Sequence, residues 1–355
     1  MPHVGWQVKI VVSLSSPKQQ IMSVDSPIQP ETRRRRLPSA GWCLLIGFVL
    51  VVLVTITTLG VRLWLLKKRI ALVESCGGHV AASNAAPDWV YNHISKDVTL
   101  LVDRIDGVLF DSQPVPDNVL EGLSGLGAVR TLDIGRCSLT DSAMPHIAEL
   151  SELDYLSIGS NEITDKGASH LPKLTKLEHL QIHETQLTDA GLAHVGRLAS
   201  LTDLDVDHTQ ITGAGLAHLA KLSRLEELNL TGTAIDGASL VHLSKLPLTD
   251  LILESTPVGD EGMPHLSGIT KLRRLNLTRT KVGDAGLRSL SGLTNLFYLD
   301  LDSTKVTEAG LVALRPLKSL RYLNLHGTGI SKEAAMELRQ FLPDCEINGF
   351  EETPE

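Results

Sequence analysis

The sequence predicts an α/β solenoid in which parallel strands form a concave face and helices form a convex face, preceded by one transmembrane helix. Three observations support this fold class. A period of 24 residues runs through residues 105–343. Within each period, apolar residues first alternate and then recur at every third position. In addition, a run of 21 residues without a charge extends from Gly41 to Val61.

The 24-residue period is visible as ten frames in register. Successive frames start 24 residues apart, except for Leu225 and Leu248, which are 23 residues apart. One strand and one helix of this length cannot bury their apolar faces alone, so a period of this kind indicates stacked repeats with a shared core. The frames begin at Ile105, Val129, Leu153, Leu177, Leu201, Leu225, Leu248, Leu272, Leu296 and Leu320.

Each frame changes from a strand pattern to a helix pattern. Leu180 and Ile182 enclose a polar residue, which is typical of a short strand with one buried face. Leu216, Leu219 and Leu222 then recur at a spacing of three and predict the inner stripe of a helix. Aromatic residues make up only 4% of the chain, so the predicted core is mainly aliphatic.

Two other columns of the frame have expected structural roles. A Thr-Asp pair precedes the helix, as at Thr188 and Asp189, and is expected to supply N-cap oxygens to the free amide groups. A small residue follows two positions later and is expected to let helix and strand approach closely. This small-residue column consists of Ala143, Gly167, Gly191, Gly215, Ser239, Gly262, Gly286, Gly310 and Ala334.

The uncharged segment is long enough to cross a membrane. As a helix, 21 residues extend over about 31 Å, which matches the apolar thickness of a bilayer. A cleaved signal peptide is the alternative, but both the apolar run and its polar lead are too long for that class. The basic clusters at 33–36 and 62–69 nearly balance, so the positive-inside rule does not decide orientation. The short basic N-terminal segment favours an N-terminus inside the cell and repeats outside it.

We expect five segments along the chain. A disordered basic tail precedes the transmembrane helix, which is followed by a juxtamembrane helix and an N-terminal cap. The ten repeats come next, and a short C-terminal cap and tail close the chain. The expected boundaries of these segments are 1–40, 41–66, 67–104, 105–343 and 344–355.

The charge distribution argues against nucleic-acid binding. Residues 1–70 hold ten of the 33 basic residues and only two of the 41 acidic ones, so the remainder carries a net charge of −16. A surface this acidic is repelled by phosphate backbones. The four cysteines are far apart in sequence and show no C-x-x-C pair, so neither a disulfide framework nor a zinc site is indicated: Cys43, Cys76, Cys137 and Cys345.

The repeat consensus L-x-x-L-x-L-x-x-T-x-I-T-D-x-G-L-x-x-L-x-x-L resembles a leucine-rich repeat of the T-D-x-G-L kind. It is similar to repeats of F-box proteins and of bacterial membrane-anchored proteins, and the arrangement of span and repeats resembles the bacterial group more closely. The resemblance implies a curved binding solenoid without a cofactor or fixed chemistry. The chain departs from the usual pattern by having Thr where Asn is common: Thr185, Thr209, Thr233, Thr256, Thr280, Thr304 and Thr328. Their hydroxyls are expected to bond the turn of the neighbouring repeat.

The pair His183-Glu184 does not begin a zinc-hydrolase helix. The motif H-E-x-x-H requires a second histidine at the fifth position, where this chain has Leu187, and the pair follows a predicted strand. Six other histidines share one helix column. Packed helices lie about 8–10 Å apart, whereas zinc ligands must come within about 2.0–2.1 Å of the ion, so stacking is the favoured role of that column: His146, His170, His194, His218, His242 and His265.

The ends of the middle strands bring together histidines and acids. Adjacent strands are about 4.8 Å apart, so Glu184 is expected beside His208, and His183 beside Asp207, with Asp205 nearby. We name these five residues the His–acid cluster. Such a cluster is able to hold a divalent ion or to act as acid and base. A solvated polar face that contributes to partner binding is the favoured interpretation, and no metal ligand or catalytic residue is assigned.

The outward strand positions predict a divided binding face. The middle repeats are mostly acidic there, whereas the C-terminal repeats offer arginines and aromatic rings, the residue types that dominate binding hot spots. We therefore predict a protein or peptide partner. An envelope scaffold without a discrete ligand is the alternative, and a metal-dependent enzyme based on the His–acid cluster is less favoured. The predicted C-terminal contact residues are Arg274, Arg279, Phe297, Tyr298, Arg321 and Tyr322, and the acidic middle includes Glu178, Asp203, Glu226 and Glu227.

Overall fold

The computed structural model describes residues 40–83, 104–126 and 128–350 of the chain. The basic tail expected over residues 1–40 therefore lies, except for its last residue, outside the described residues. The same holds for most of the cap expected between the juxtamembrane helix and the first repeat.

One long helix, α1, extends over Ala40–Ser75 without interruption, so the boundary expected at residue 66 is not a helix end. Among the described residues, α1 is the one helix long and apolar enough to cross a membrane, and its apolar window is not buried in protein. A core helix of a soluble domain is thereby excluded, and a membrane span and a signal sequence are the two classes that fit.

The last turns of α1 cover the N-terminal end of the repeat core. Val73 is buried with the core residues, and Nη1 of Arg69 donates a hydrogen bond to the carbonyl of Gly125 at 2.5 Å. Gly78 follows the helix, where a Cβ atom would lie 2.7 Å from Cε1 of Phe110. Glycine is therefore required where the chain leaves the helix and enters the sheet.

A sheet of twelve strands runs through the repeats in chain order. Its strands are β1 Gly78–Ser83, β2 Arg104–Phe110, β3 Thr131–Asp133, β4 Tyr155–Ser157, β5 His179–Gln181, β6 Asp203–Asp205, β7 Glu227–Asn229, β8 Asp250–Ile252, β9 Arg274–Asn276, β10 Tyr298–Asp300, β11 Tyr322–Asn324 and β12 Glu346–Asn348. β1 pairs with β2 in antiparallel fashion, and each later neighbouring pair is parallel. From β3 onward each strand has only three residues, so pairing with both neighbours is essential.

A column of leucines forms the core beneath this sheet. The register places Leu180 of β5 beside Leu156 on one side and Leu204 on the other. All three side chains are 0% exposed. Full burial of a leucine contributes about 1.5–3 kcal/mol, and here each leucine obtains it only because another repeat lies on either side. The core is therefore continuous along the repeats.

Short helices connect successive strands on the opposite side of the core. The α-helices of this region are α2 Asp117–Leu123, α3 Met144–Ile147, α4 Asp165–Ala168, α5 Asp189–Val195, α6 Met263–Leu266, α7 Asp284–Leu290 and α8 Lys332–Phe341, and the 3₁₀-helices are Asp141–Ala143, Leu171–Lys173, Gly213–Lys221, Ala238–Leu243, Asp260–Gly262 and Glu308–Leu314. The leucines spaced by three therefore lie partly on 3₁₀-helices, which have 3.0 residues per turn.

Acidic residues at the start of one helix bind the start of the next helix. Asp141 accepts hydrogen bonds from the amide and the hydroxyl of Thr164, at 2.9 and 2.7 Å, and from the amide of Gly167 at 3.0 Å. Burial acts to raise the pKa of Asp141, but these bonds outweigh it, and the pKa lies below its usual value. The Thr of each pair caps its own helix as expected, whereas the Asp joins two repeats. Equivalent bonds occur at Asp165, Asp189 and Asp284.

The small-residue column makes room for these acids. A Cβ atom on Gly310 would lie 2.3 Å from Oδ1 of Asp284, and the three atoms nearest to it all belong to that aspartate. One repeat has Gly213 at the position of the acid. In the repeat that follows it, the small-residue column has Ser239 instead of glycine. A Cβ atom would thus meet the acid of the preceding repeat at five column glycines, whereas at Gly262 it would meet the backbone of Gly237: the five are Gly167, Gly191, Gly215, Gly286 and Gly310.

The turn threonines bond within their own repeat, contrary to the expectation of bonds to a neighbour. The hydroxyl of Thr185 donates to the carbonyl of Ile182 at 2.9 Å, and six further threonines make the same bond. Asn161 occupies this position in one repeat. Its Nδ2 donates to the carbonyl of Ile134, and its Oδ1 accepts from the amide of Cys137. The asparagine thus joins two repeats, because its amide has both donors and an acceptor.

Substitution of Gly310 by Ala tests the coupling between the glycine column and the acids. We expect the Gly310→Ala variant to lose about 1–3 kcal/mol in its free energy of unfolding, because the added Cβ displaces a hydrogen-bonded carboxylate. Chemical denaturation of the purified chain measures this loss. Gly292→Ala is the matched control, since no atom lies within 4 Å of the added Cβ. In an Asp284→Ala background the Gly310→Ala cost should shrink, and an unchanged cost would show that the carboxylate is not the obstacle.

Candidate binding surface on the sheet

The first residues of successive strands form a solvent-facing row, which we name the outer row. In register, Asp203 of β6 pairs with Glu227 of β7, followed by Asp250, Arg274 and Tyr298. Neighbouring strands are about 4.8 Å apart, so these side chains are direct neighbours. The row therefore changes from acidic to basic and aromatic between β8 and β9. Its members are Tyr155, His179, Asp203, Glu227, Asp250, Arg274, Tyr298, Tyr322 and Glu346.

The first residues of β9, β10 and β11, together with Phe297 just before β10, form what we name the aromatic–arginine patch: Arg274, Phe297, Tyr298 and Tyr322. The rings of Tyr298 and Tyr322 are stacked, with centroids 4.7 Å apart and an angle of 3° between their planes. Cζ of Arg274 lies 5.3 Å from the centroid of the Tyr298 ring. Ring pairs contribute about 0.5–1.5 kcal/mol, and exposed cation–π contacts about 0.5–1 kcal/mol. These contacts hold the patch in one arrangement before any partner binds.

An open cavity of about 580 Å³ lies at the acidic side of the patch. Nε of Arg274 is 3.2 Å from Oδ1 of Asp250, so the guanidinium lies between a carboxylate and a ring. Phe297 is 47% exposed and supplies an apolar wall. The cavity thus offers charges of both signs next to aromatic surface, which suits a peptide segment. Its lining residues are Glu226, Glu227, Thr249, Asp250, Arg273, Arg274, Phe297 and Tyr298.

Arg321 and Arg279, the other two contact residues predicted in the C-terminal repeats, are not part of the aromatic–arginine patch. Arg321 borders the patch, since its amide donates to the carbonyl of Phe297. Its guanidinium, however, bonds the carbonyl of Lys318 at 2.9 Å and lies 3.7 Å from Asp344. Arg279 lies in the turn that follows β9, with φ of 54°, beyond the opposite end of the strand from Arg274. The structure therefore does not place Arg279 at the patch.

The acidic part of the outer row holds carboxyl groups with altered acidity. Partial burial, supported by the charge of Asp250, raises the pKa of Asp203. Partial burial also raises the pKa of Glu227, and the charges of Asp203 and Asp250 add to this rise. Nδ1 of His179 lies 3.7 Å from Oδ2 of Asp203 and offsets part of the effect. Like charges held this close are relieved by a cation, so this part of the sheet favours a basic group on a partner.

The His–acid cluster divides into two groups. His183 and Asp205 approach each other, with Nδ1 and Oδ2 3.6 Å apart, and Asp207 offers an oxygen within 4.8 Å of both. Glu184 and His208 are exposed and line a separate cavity of about 590 Å³. Both adopt left-handed backbone conformations, with φ of 51° and 49°. The two expected pairs, His183 with Asp207 and Glu184 with His208, are therefore both present, but they form two separate groups at the turns.

The helix histidines do not form a metal centre in the described part of the chain, where the single group with metal-ligand spacing is His183, Asp205 and Asp207. Two of the cysteines, Cys137 and Cys345, are buried in the repeat core. Burial raises the pKa values of Cys137 and Cys345 to about 11, so both thiols stay protonated at neutral pH.

Thr249 and Asp250 were not singled out from the sequence, although both line the cavity beside the patch. The sequence does contain the information needed to place Asp250. Once the 23-residue step before Leu248 is allowed for, Asp250 has the same position in its frame as Glu227 and Arg274. The stacking of the two tyrosine rings had no signal beyond their shared column.

The repeat geometry defines the class of protein: a leucine-rich repeat solenoid with a long sheet of parallel strands. One family model, described as leucine rich repeat, matches residues 270–330. A second model of the same description matches residues 153–171 and 197–220. No curated protein sequence matches the chain.

Among solved structures, the chain is similar to an internalin (InlF) from Listeria monocytogenes. The two share 20% identity over 70% of this chain and 82% of the internalin, with a TM-score of 0.52. Internalin C2 of the same organism shares 24% identity over 61% of this chain and 84% of its own, with a TM-score of 0.44. A TDR receptor shares 17% identity over 66% of this chain and 44% of its own, with a TM-score of 0.46. At these identities the likeness to the first internalin shows the fold alone.

Tyr298 should lose its proton later than an ordinary tyrosine. Burial, the charge of Asp300 and a hydrogen bond of 3.0 Å to that carboxylate raise the pKa of Tyr298 to about 12. The folded state holds this proton more tightly than the unfolded chain, so stability should fall as the pH rises from 10 towards 12. Ultraviolet titration of the phenolates measures the transition. Tyr298→Phe should remove the phenolate transition near pH 12. Loss of a transition at lower pH instead would contradict the assignment of the high pKa to Tyr298.

Proposed function

We propose that the chain is a membrane-anchored leucine-rich repeat protein that binds a protein or peptide partner through its sheet. The observation that carries this proposal is the stacked pair of Tyr298 and Tyr322 with Arg274 beside it. Tyr and Arg dominate binding hot spots because they combine large contact area with directed hydrogen bonds. Side chains already held in place lose less entropy on binding, so a partner meets a preorganised surface.

The division of charge along the outer row supports a partner that binds in one orientation. Asp203, Glu227 and Asp250 attract a basic group, whereas Arg273, exposed beside the patch, attracts an acidic one. Opposite charges at the two ends of a site select register more than they add affinity. A peptide that carries an apolar or aromatic side chain between a basic and an acidic residue has the matching pattern.

Anchoring in a membrane is supported by α1. The helix is apolar over a length that spans a bilayer, and its apolar window is not buried in protein. Basic residues at 33–36 and 62–69 flank this window, as expected for a segment held between two aqueous phases. We further propose that the N-terminus is inside the cell and that the repeats are outside.

Two other functions are weighed against partner binding. An envelope scaffold without a ligand would need the repeats only as a spacer, and the preorganised patch then has no purpose. Leucine-rich repeat solenoids are typically scaffolds for protein interaction, and fold alone implies no chemistry. Partner binding is favoured over the scaffold and over an enzyme because it accounts for the stacked aromatic rings on an open face.

Replacement of either patch tyrosine by Ala should weaken peptide binding by about tenfold to a hundredfold, as for a hot-spot residue. Peptides are first selected on the immobilised full chain from a displayed random library. Their affinities for the Tyr298→Ala and Tyr322→Ala variants are then measured by fluorescence anisotropy.

Tyr155→Ala is the matched control for these variants, because Tyr155 has the same outer-row position on β4. Its ring packs against His179, with centroids 6.2 Å apart, and lies away from the patch. Unchanged affinity of the patch variants, with a loss in Tyr155→Ala, would move the site to the acidic half. Failure to select any peptide would favour the scaffold.

Protease treatment of intact cells tests anchoring and orientation together. In cells that express the chain with a C-terminal tag, we expect the tag to fractionate with membranes and to be lost on treatment from outside. Protection of the tag until the cells are opened would reverse the orientation. A tagged product in the soluble fraction, shortened by the length of α1 and the preceding residues, would identify the apolar helix as a signal sequence.

A further inference from the structure

We propose that His183, Asp205 and Asp207 form a binding site for a divalent transition-metal ion at the turns after β5 and β6. This inference goes beyond partner binding, does not depend on it, and implies no reaction. One ring nitrogen of His183 and one oxygen from each aspartate all lie within 4.8 Å of one another. Within the described residues no other group of three has this spacing.

The distance between the histidine and the first aspartate suits a shared ion better than a direct bond. Nδ1 of His183 lies 3.6 Å from Oδ2 of Asp205, which is too far for a hydrogen bond. Zinc bonds of about 2.0–2.2 Å in a tetrahedron place ligand atoms about 3.4 Å apart. The two atoms therefore already have almost the separation that one ion between them requires.

One oxygen of each carboxylate accepts a hydrogen bond from the protein, and the other oxygen is left to bind an ion. Oδ1 of Asp205 accepts a hydrogen bond of 3.1 Å from the amide of Asp207, and its Oδ2 faces His183. Oδ2 of Asp207 accepts a bond of 3.5 Å from Nδ2 of Asn229, and its Oδ1 remains. Hydrogen bonds of this kind from the surrounding protein orient metal ligands in known sites.

The atoms that remain are buried and have no hydrogen-bond partner. Nδ1 of His183 and Oδ1 of Asp207 are both inaccessible to solvent, and neither is bonded within the protein. Buried polar atoms without a partner are rare in folded proteins, because each costs about 1–3 kcal/mol. A metal ion bound by these residues would give both atoms a partner.

The position of the His183 ring is also built into the fold. A Cβ atom on Gly159, in the preceding repeat, would lie 2.5 Å from Cε1 and Nε2 of that ring. The missing Cβ atom at Gly159 leaves the space that the imidazole occupies. The backbone here thus accommodates one particular orientation of the histidine.

The donor set indicates the class of ion. One imidazole nitrogen with two carboxylate oxygens suits Zn²⁺, Mn²⁺ or a similar transition metal. Ca²⁺ takes six to eight oxygen ligands and is therefore disfavoured. Three protein ligands around a four-coordinate ion leave one position for water or for an oxygen atom of a partner.

Competition titration with a chromogenic chelator tests the proposal on the full chain in detergent micelles, after dialysis against a chelator. We expect Zn²⁺ to bind with one saturable high-affinity site per chain and Ca²⁺ to bind much more weakly. His183→Asn and Asp207→Asn should each weaken Zn²⁺ binding by at least about tenfold. Loss of a residue that only hydrogen-bonds to a metal ligand already costs about that much affinity, and loss of the ligand itself costs more. Cobalt absorption in the visible range provides a second readout of a nitrogen and oxygen site.

His179→Asn is the matched control. His179 is the first residue of β5, four residues before His183, and its Nδ1 is 3.7 Å from Oδ2 of Asp203, but among the described residues this pair has no third ligand at metal distance. This variant should keep the affinity of the wild type. Equal Zn²⁺ binding by wild type and His183→Asn, or only weak unsaturated binding that all variants share, would overturn the proposal. If His183→Asn fails to fold, as judged from metal-free thermal unfolding, the isosteric Asp207→Asn decides.

Discussion

Every feature of this solenoid depends on parallel pairing between strands of only three residues. A strand this short cannot form a sheet alone, and its central leucine is buried because an apolar residue of a neighbouring strand lies on each side. Pairing therefore fixes the register of all repeats at once. Since a slip of one residue would turn the leucines outward, the core and the surface rows are determined together.

The same register converts a sequence column into a physical surface. Residues 24 positions apart become direct neighbours, so Tyr298 stacks on Tyr322, and Arg274 contacts the next ring. The acidic residues of the outer row are likewise brought together, so their charges add to the rise in the pKa values of Asp203 and Glu227 that partial burial causes. A binding surface in this fold is thus formed by residues that have the same position in successive repeats. Two or three consecutive repeats with side chains unlike those of the other repeats are enough to form a contact site.

A second ladder on the helix side shows how much of the repeat serves stacking. The aspartate of one repeat bonds the helix start of the next, and at five glycines of the small-residue column its carboxylate occupies the space that a Cβ atom would need. Asn161 adds a further link between two repeats. These columns are regular because their partners are other copies of the same unit. Surface residues that differ from repeat to repeat are free of that constraint, and the aromatic–arginine patch and the proposed metal ligands are found among such positions.

The sequence by itself determined the repeat period, the leucine core, the solenoid fold and the apolar helix, because each of these follows from a pattern that is local to one frame. It also placed Glu184 near His208 and Tyr298 near Tyr322, since strand spacing alone sets those neighbours. Only the tertiary structure showed that Arg279 lies beyond the far end of its strand, and that the turn threonines bond their own repeat. It alone divided the His–acid cluster, because side-chain direction at a turn depends on the backbone angle, such as φ of 51° at Glu184, which the residue column does not reveal.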